Sequence, residues 1–225
     1  MRRPGPRPTD DDVVPAADAP DPEPVADDPS DDNARELVGF VLVVEDEPSM
    51  ARALGGYVRE YVAVEYATTV AEARLKVRKP GLLAILLDIG LPGESGLALL
   101  GELPCRPRRP PVLVVTGDRE RANDVQYWGA EFAIKPVPAE NVCAFLERAG
   151  VMRWAKLRKT LTRPGGPRLT PRDVEIVLLA GLGLRRTAIA QVLDIEVCTV
   201  KTHIHKINGL FGAFRLDTLI ASLLA

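Results

Sequence analysis

Cysteine is scarce in this chain of 225 residues, and its three copies stand far apart at Cys105, Cys143 and Cys198. An odd number without C-x-x-C spacing argues against a disulfide framework and a zinc site, and it suits a reducing, cytoplasmic setting. Histidine is scarcer still, with His203 and His205 alone. Two residues apart on a helix, they point about 200° away from each other and cannot share one metal ion. No apolar run approaches the ~18 residues that a membrane-spanning helix needs. No apolar stretch follows Met1-Arg2-Arg3, so neither a secretory signal nor a membrane partner is expected. Aromatic residues make up only 5% of the chain, yet 46% of it is hydrophobic, which suffices for globular cores.

Length alone allows one or two domains. The net charge of −2 conceals a division. Residues 1–149 hold 17 Lys and Arg against 26 Asp and Glu, whereas residues 150–225 hold 12 against 5. A basic half on an acidic chain points to a polyanionic partner for that half, against the plainer reading of a solvated basic surface. Residues 1–36 include the run TDDDVVPAADAPDPEPVADDPSDD, without periodic apolar residues. That composition predicts a disordered acidic tail, either solubilising or mimicking DNA in competition for the basic half.

From residue 37 the pattern changes. Short apolar runs (LVGFVLVV, VAVEYA, LLAILL, PVLVV, AEFAI) alternate with segments of helical period up to residue 150. That order predicts a five-stranded parallel sheet with helices on both faces. Residues 151–168 are basic and end in Pro-Gly-Gly-Pro-Arg, which predicts an inter-domain linker. Residues 169–225 read as helices separated by short breaks, a small all-α domain.

The stretch AILLDIGLPGESG ends a buried strand on Asp88 and passes at once to a Gly- and Pro-rich turn. Ligands of open parallel sheets bind at the carboxyl ends of the strands. Here those ends carry Glu45-Asp46-Glu47, Asp88, Thr116 and Lys135-Pro136. Clustered carboxylates must bind a cation or shift their pKa values, and hard oxygen ligands with open positions suit Mg²⁺. Lys135 and Thr116 suit the oxygens of a phosphoryl group. Asp88 suits a carboxylate nucleophile.

The segments VLVVEDE, LLDIGLPGESG, PVLVVTG and FAIKP resemble the signature segments of bacterial response-regulator receiver domains, in the right order over residues 37–150. The resemblance implies a flavodoxin-like, doubly wound fold. It implies Asp88 as phosphoacceptor, with Glu45, Asp46, Asp88 and the Gly90 carbonyl as Mg²⁺ ligands. Lys135 would pair with the phosphoryl group, Thr116 would swing to hydrogen-bond it, and a cis peptide would join Lys135 to Pro136. Phe132 matches the family's rotating aromatic, beside the plain alternative of a core side chain. Two departures stand out. Gly117 takes the place of the usual Ala, and the span from Thr116 to Lys135 is shortened, trimming the fourth helix or its leading loop.

In the basic half, LTPRDVEIV opens with Thr170 as N-cap, Pro171 at the first helical position and Asp173 at the third. Helices over about 186–193 and beyond a tight DIEV turn make a helix-turn-helix pattern. On the latter helix Val200, Ile204, Ile207 and Phe211 form an apolar stripe. Opposite lie Lys201, Thr202, His205, Lys206 and Gly209, able to address phosphates and base edges. LTPRDVEIV and TVKTH, which starts at Thr199, resemble the LuxR/NarL-type DNA-binding domain. That resemblance implies four helices, the third in the major groove and the fourth a dimer interface. Its DNA contacts would be Thr199, Lys201, Thr202, His205 and Lys206. Gly209, Leu210 and Ala188 depart from the family's usual charged residues, and Arg153, Lys156, Arg158, Lys159 and Arg163 offer compensating charge.

These readings combine into a DNA-binding response regulator, not a freestanding enzyme. A histidine kinase or small phosphodonor would phosphorylate Asp88, and a homodimer would bind double-stranded DNA to control transcription. The alternatives are a phosphorylation-independent DNA-binding regulator, whose receiver serves protein interaction, and a phosphate relay or sink with weak DNA binding.

Overall fold

The computed structural model describes residues 39–79, 81–103 and 109–225, apart from the side chains of residues 122 and 123. The tail expected over 1–36 lies outside the described residues. Five parallel strands form one sheet in the order β2-β1-β3-β4-β5. They are β1 (Phe40–Val44), β2 (Ala63–Ala67), β3 (Leu82–Leu87), β4 (Val112–Thr116) and β5 (Glu131–Ile134). Every residue of β1 and β4 is buried, because a sheet covered on both faces has no solvent side to spare for polar residues.

Side chains alternate between the two faces with the period of a strand. Val41, Val43, Leu86, Leu113 and Val115 face the cluster built on α1 (Pro48–Arg59) and α5 (Ala139–Arg148). Leu42, Val44, Ile85, Leu87 and Val114 face α2 (Val70–Lys76), α3 (Gly96–Glu102) and α4 (Ala122–Tyr127). The sheet is therefore doubly wound, as the alternation of elements predicts. α4 has only six residues and follows a single 3₁₀ turn, Arg119–Arg121.

The basic stretch read as a linker over 151–168 is helical for much of its length, as α6 (Val151–Leu161). Between the end of α5 and the start of α6 stands Gly150, whose left-handed φ of 82° redirects the chain without the Cβ penalty other residues bear. Along α6, Val151, Trp154, Leu157 and Leu161 are buried while Arg153, Lys156 and Lys159 are exposed. The Trp154 ring lies so close to the start of β1 that a Cβ on Gly39 would sit 2.6 Å from it. Leu157 packs on Gly181, where a Cβ would sit 2.7 Å away.

Gly181 ends α7 (Pro171–Gly181), which is followed by α8 (Arg186–Leu193), α9 (Val197–Phe211) and α10 (Leu216–Leu224). Val200, Ile204 and Ile207 of α9 join Leu216, Leu219 and Ile220 of α10 in the same apolar cluster as the α1/α5 face of the sheet. α6 thus belongs to both halves of one continuous core. Among the described residues, no single helix is long and apolar enough to cross a membrane.

Candidate functional site

Glu45 leaves β1 with 2% of its surface exposed, and its backbone N–H donates to the Ala67 carbonyl at 2.9 Å. Asp88 follows β3 with its N–H donating to the Val44 carbonyl, also at 2.9 Å, so the two acids are fixed at adjacent strand ends. Asp46 beside them is exposed. The three residues bring carboxylate oxygens within 4.8 Å of one another.

Lys135 arrives from the end of β5, its N–H bonded to the Thr116 carbonyl at 2.9 Å and a cis peptide leading on to Pro136. Its Nζ donates to Asp88 Oδ2 at 2.6 Å and to Glu45 Oε2 at 2.8 Å. The other Asp88 oxygen accepts from the Gly90 N–H at 2.8 Å. Thr116 closes β4 at 4% exposure, and its Oγ1 accepts from the Asp118 N–H at 3.2 Å.

Burial pushes the Glu45 carboxyl above its ordinary range, and the Asp88 charge adds to this; the hydrogen bond from Lys135 opposes both. Burial acts on Lys135 in the opposite sense, lowering its affinity for a proton, but its bonds to Asp88 and Glu45 outweigh that and hold it above the ordinary lysine value. One ammonium against three carboxylates leaves the cluster net negative. Close-set carboxylate oxygens with an exposed member are a donor set that fits a hard divalent cation.

The sequence-predicted residues Glu45, Asp46, Asp88, Gly90, Thr116 and Lys135 thus meet at one sheet edge. Phe132 stands on β5, half-buried, and packs against the α2–α4 cluster. At Gly117 a Cβ would meet open space, so packing does not demand glycine there.

Sequence reasoning missed two supports. A Cβ on Gly96 would lie 2.4 Å from the Asp88 carbonyl oxygen, so glycine alone allows α3 to start against the backbone of Asp88. The available signal was a glycine in the first turn of a helix, where it is intrinsically unfavourable. Arg74 on α2 grips Glu94, in the loop after Asp88, and Glu102 on α3, with four hydrogen bonds of 2.6–2.8 Å. The guanidinium holds both carboxyls below their ordinary range.

The residues predicted on α9 lie together on a different surface. Thr199, Lys201, Thr202, His205 and Lys206 are all exposed, on the side away from Val200, Ile204 and Ile207. His203 faces inward: its Nδ1 lies 2.7 Å from Oδ1 of Asp173, which is wholly buried. Asp173 Oδ2 accepts from the Thr170 N–H at 2.9 Å and lies 3.5 Å from Lys206 Nζ. Thr170 Oγ1 accepts from the Asp173 N–H at 3.2 Å, completing a reciprocal cap on α7.

Residues 41–147 match the response regulator receiver domain family. The chain is 29% identical over 172 residues to nodulation protein W of Bradyrhizobium diazoefficiens, covering 73% of this chain and 76% of that protein. It is 32% identical over 117 residues to the transcriptional regulatory protein ResD of Bacillus subtilis, covering 48% of each, so the match spans about half the length of that relative. A solved response regulator receiver domain protein from Methanospirillum hungatei is 25% identical with a TM-score of 0.45, covering 49% of this chain and 92% of that one. With the acid cluster at the strand ends and the parallel sheet that sets it there, residues 41–147 are a response regulator receiver domain.

Proposed function

We propose that the chain is a DNA-binding response regulator in which phosphorylation of Asp88 controls dimerisation and duplex binding. The observation that carries this reading is the bridge from Lys135 to Asp88 and Glu45 at one rim of the sheet. A histidine kinase or a small phosphodonor supplies the phosphoryl group. An Asp88 oxygen attacks phosphorus, a new O–P bond forms, and the bond to the donor's leaving group breaks. Lys135 moves from neutralising the carboxylates to neutralising the phosphoryl oxygens. Thr116 contributes its hydroxyl, and Phe132 follows it inward. Glu45, Asp46, Asp88 and the Gly90 carbonyl would hold Mg²⁺, which when bound screens the charge between donor and acceptor.

The output is residues 169–225, a LuxR/NarL-type helix-turn-helix with α9 as the recognition helix in the major groove. The exposed Thr199, Lys201, Thr202, His205 and Lys206 support it; the name of ResD as a transcriptional regulator supports a regulatory role in general. α9 carries no Asp or Glu to repel phosphates. The test is intact mass after incubation with Mg²⁺ and acetyl phosphate, followed by duplex binding in both states. One phosphoryl adduct on wild type and none on Asp88→Asn is the expected result. An adduct that persists on Asp88→Asn, or none on wild type, refutes the assignment.

A further inference from the structure

The recognition helix proposed above is short of cations toward its carboxyl end: beyond Lys206, α9 continues Ile-Asn-Gly-Leu-Phe. Phosphate contacts dominate the affinity of duplex binding, so further cations beside the helix bear directly on it. Asp173 shows where they are. One of its oxygens, Oδ2, accepts from the Thr170 N–H and lies against Lys206 Nζ. The chain entering α7 is therefore pinned to α9 at its last charged residue.

That entering segment, residues 162–172, reads TRPGGPRLTPR, with three arginines and no acid. Arg172 is committed to Glu175 at 2.8 Å. Arg163 and Arg168 are exposed and flank a turn closed by the Gly166 N–H donating to the Arg163 carbonyl at 3.2 Å. Pro164 and Pro167 restrict the backbone on either side of the glycines, so the two guanidiniums are presented from a constrained turn. Both line a groove of about 610 Å³ between α6 and α7, whose single acid is the paired Glu175.

We infer that Arg163 and Arg168 bind backbone phosphates of the same duplex that α9 reads, on the strand beside Lys206. The inference rests on the DNA-binding reading above and adds to it a second, sequence-independent binding surface. Guanidiniums suit this task, since their planar fork meets phosphate oxygens in pairs.

The test measures fluorescence anisotropy of the full chain on a duplex that the wild type enriches from a random library, across a salt series. Each phosphate that the protein no longer neutralises flattens the slope of log K against log salt by about 0.9. Arg163→Ala/Arg168→Ala is expected to flatten it by about 1.8, equally on duplexes of differing sequence. Arg168→Lys retains the charge and keeps most of its share. Arg52→Ala, an exposed cation on α1, leaves the slope unchanged and controls for net charge. An unaltered slope in the double variant overturns the inference alone. So does an affinity loss that is the same at every salt concentration, which marks a structural effect. A wild type that enriches no duplex overturns the DNA-binding reading and this inference with it.

Discussion

Asp173 is the residue whose removal tests the C-terminal architecture most severely. It is wholly buried and serves four partners: the Thr170 N–H and Oγ1, His203 Nδ1 and Lys206 Nζ. Asp173→Ala removes the side-chain half of the reciprocal cap, worth ~1 kcal/mol. It also removes the carboxylate acceptor of a 2.7 Å bond with His203, and a hydrogen bond to a charged group is worth about 1.5–3 kcal/mol. Lys206 is 41% exposed and rehydrates, so its pairing adds little. The expected loss is about 2.5–4 kcal/mol, which lowers the melting temperature by roughly 5–16 °C in a unit of this size. Asp173→Asn keeps the shape and an acceptor, and falls between the two.

The pH dependence follows from the direction of the Asp173 shift. Burial raises its pKa, but the bonds from His203 and Thr170 and the charge of Lys206 overcome that and hold it below the ordinary aspartate value. A depressed folded pKa means stability that is fully present above the unfolded pKa and lost as pH falls through the folded one. The gap between wild type and Asp173→Ala, measured by urea unfolding, is expected to be constant near neutrality. It should then narrow as the pH drops from the ordinary aspartate range to below it. An alanine variant within about 0.5 kcal/mol of wild type, or a gap indifferent to acid, refutes the assignment of this carboxylate as the tie between α7 and α9.

Three further outcomes are expected. Gly96→Ala forces a Cβ against the Asp88 carbonyl oxygen, a backbone atom that cannot yield. Phosphoryl incorporation from acetyl phosphate, followed by intact mass, should fall about 10²-fold for a displacement of that order, while Gly117→Ala, facing open space, leaves it unchanged. Lys135→Met strips Glu45 and Asp88 of their shared ammonium and should cost about 3 kcal/mol without divalent ions. Added Mg²⁺ should then raise the melting temperature of the variant more than that of wild type, and equal shifts would count against the cation site. Trp154→Ala opens the core where α6 meets β1 and should cost about 3–5 kcal/mol. Calorimetry should then resolve two transitions in place of one, and a single transition lowered as a whole contradicts the bridging role of α6.

The acid rim was legible because its logic is topological: parallel strands end on one edge, so four separated segments declare a common address before any packing is known. The two-faced sheet was legible from apolar runs too continuous for a half-exposed strand. α6 was obscured by composition. Arg153, Lys156, Arg158 and Lys159 suggest a solvated connection, yet Val151, Trp154, Leu157 and Leu161 recur at spacings of 3, 3 and 4, a helical stripe that the charge drew attention from. The tie from Asp173 to His203 joins residues 30 apart on different helices. The sequence pattern supplied the N-cap at Thr170, and only the packing of α7 on α9 supplied the histidine.

The continuous core through α6 bears on how such a chain can be recombined. A join at residue 150, between receiver and remainder, leaves a foreign sheet facing Trp154, whose ring needs the bare backbone of Gly39 beneath it. A join after Leu161 carries α6 with the receiver but parts Leu157 from the recess at Gly181. Neither cut yields two self-sufficient pieces. Exchange of either half of this protein therefore has to bring along the matching surface of α6, which acts less as a tether between the two than as a part that both must fit.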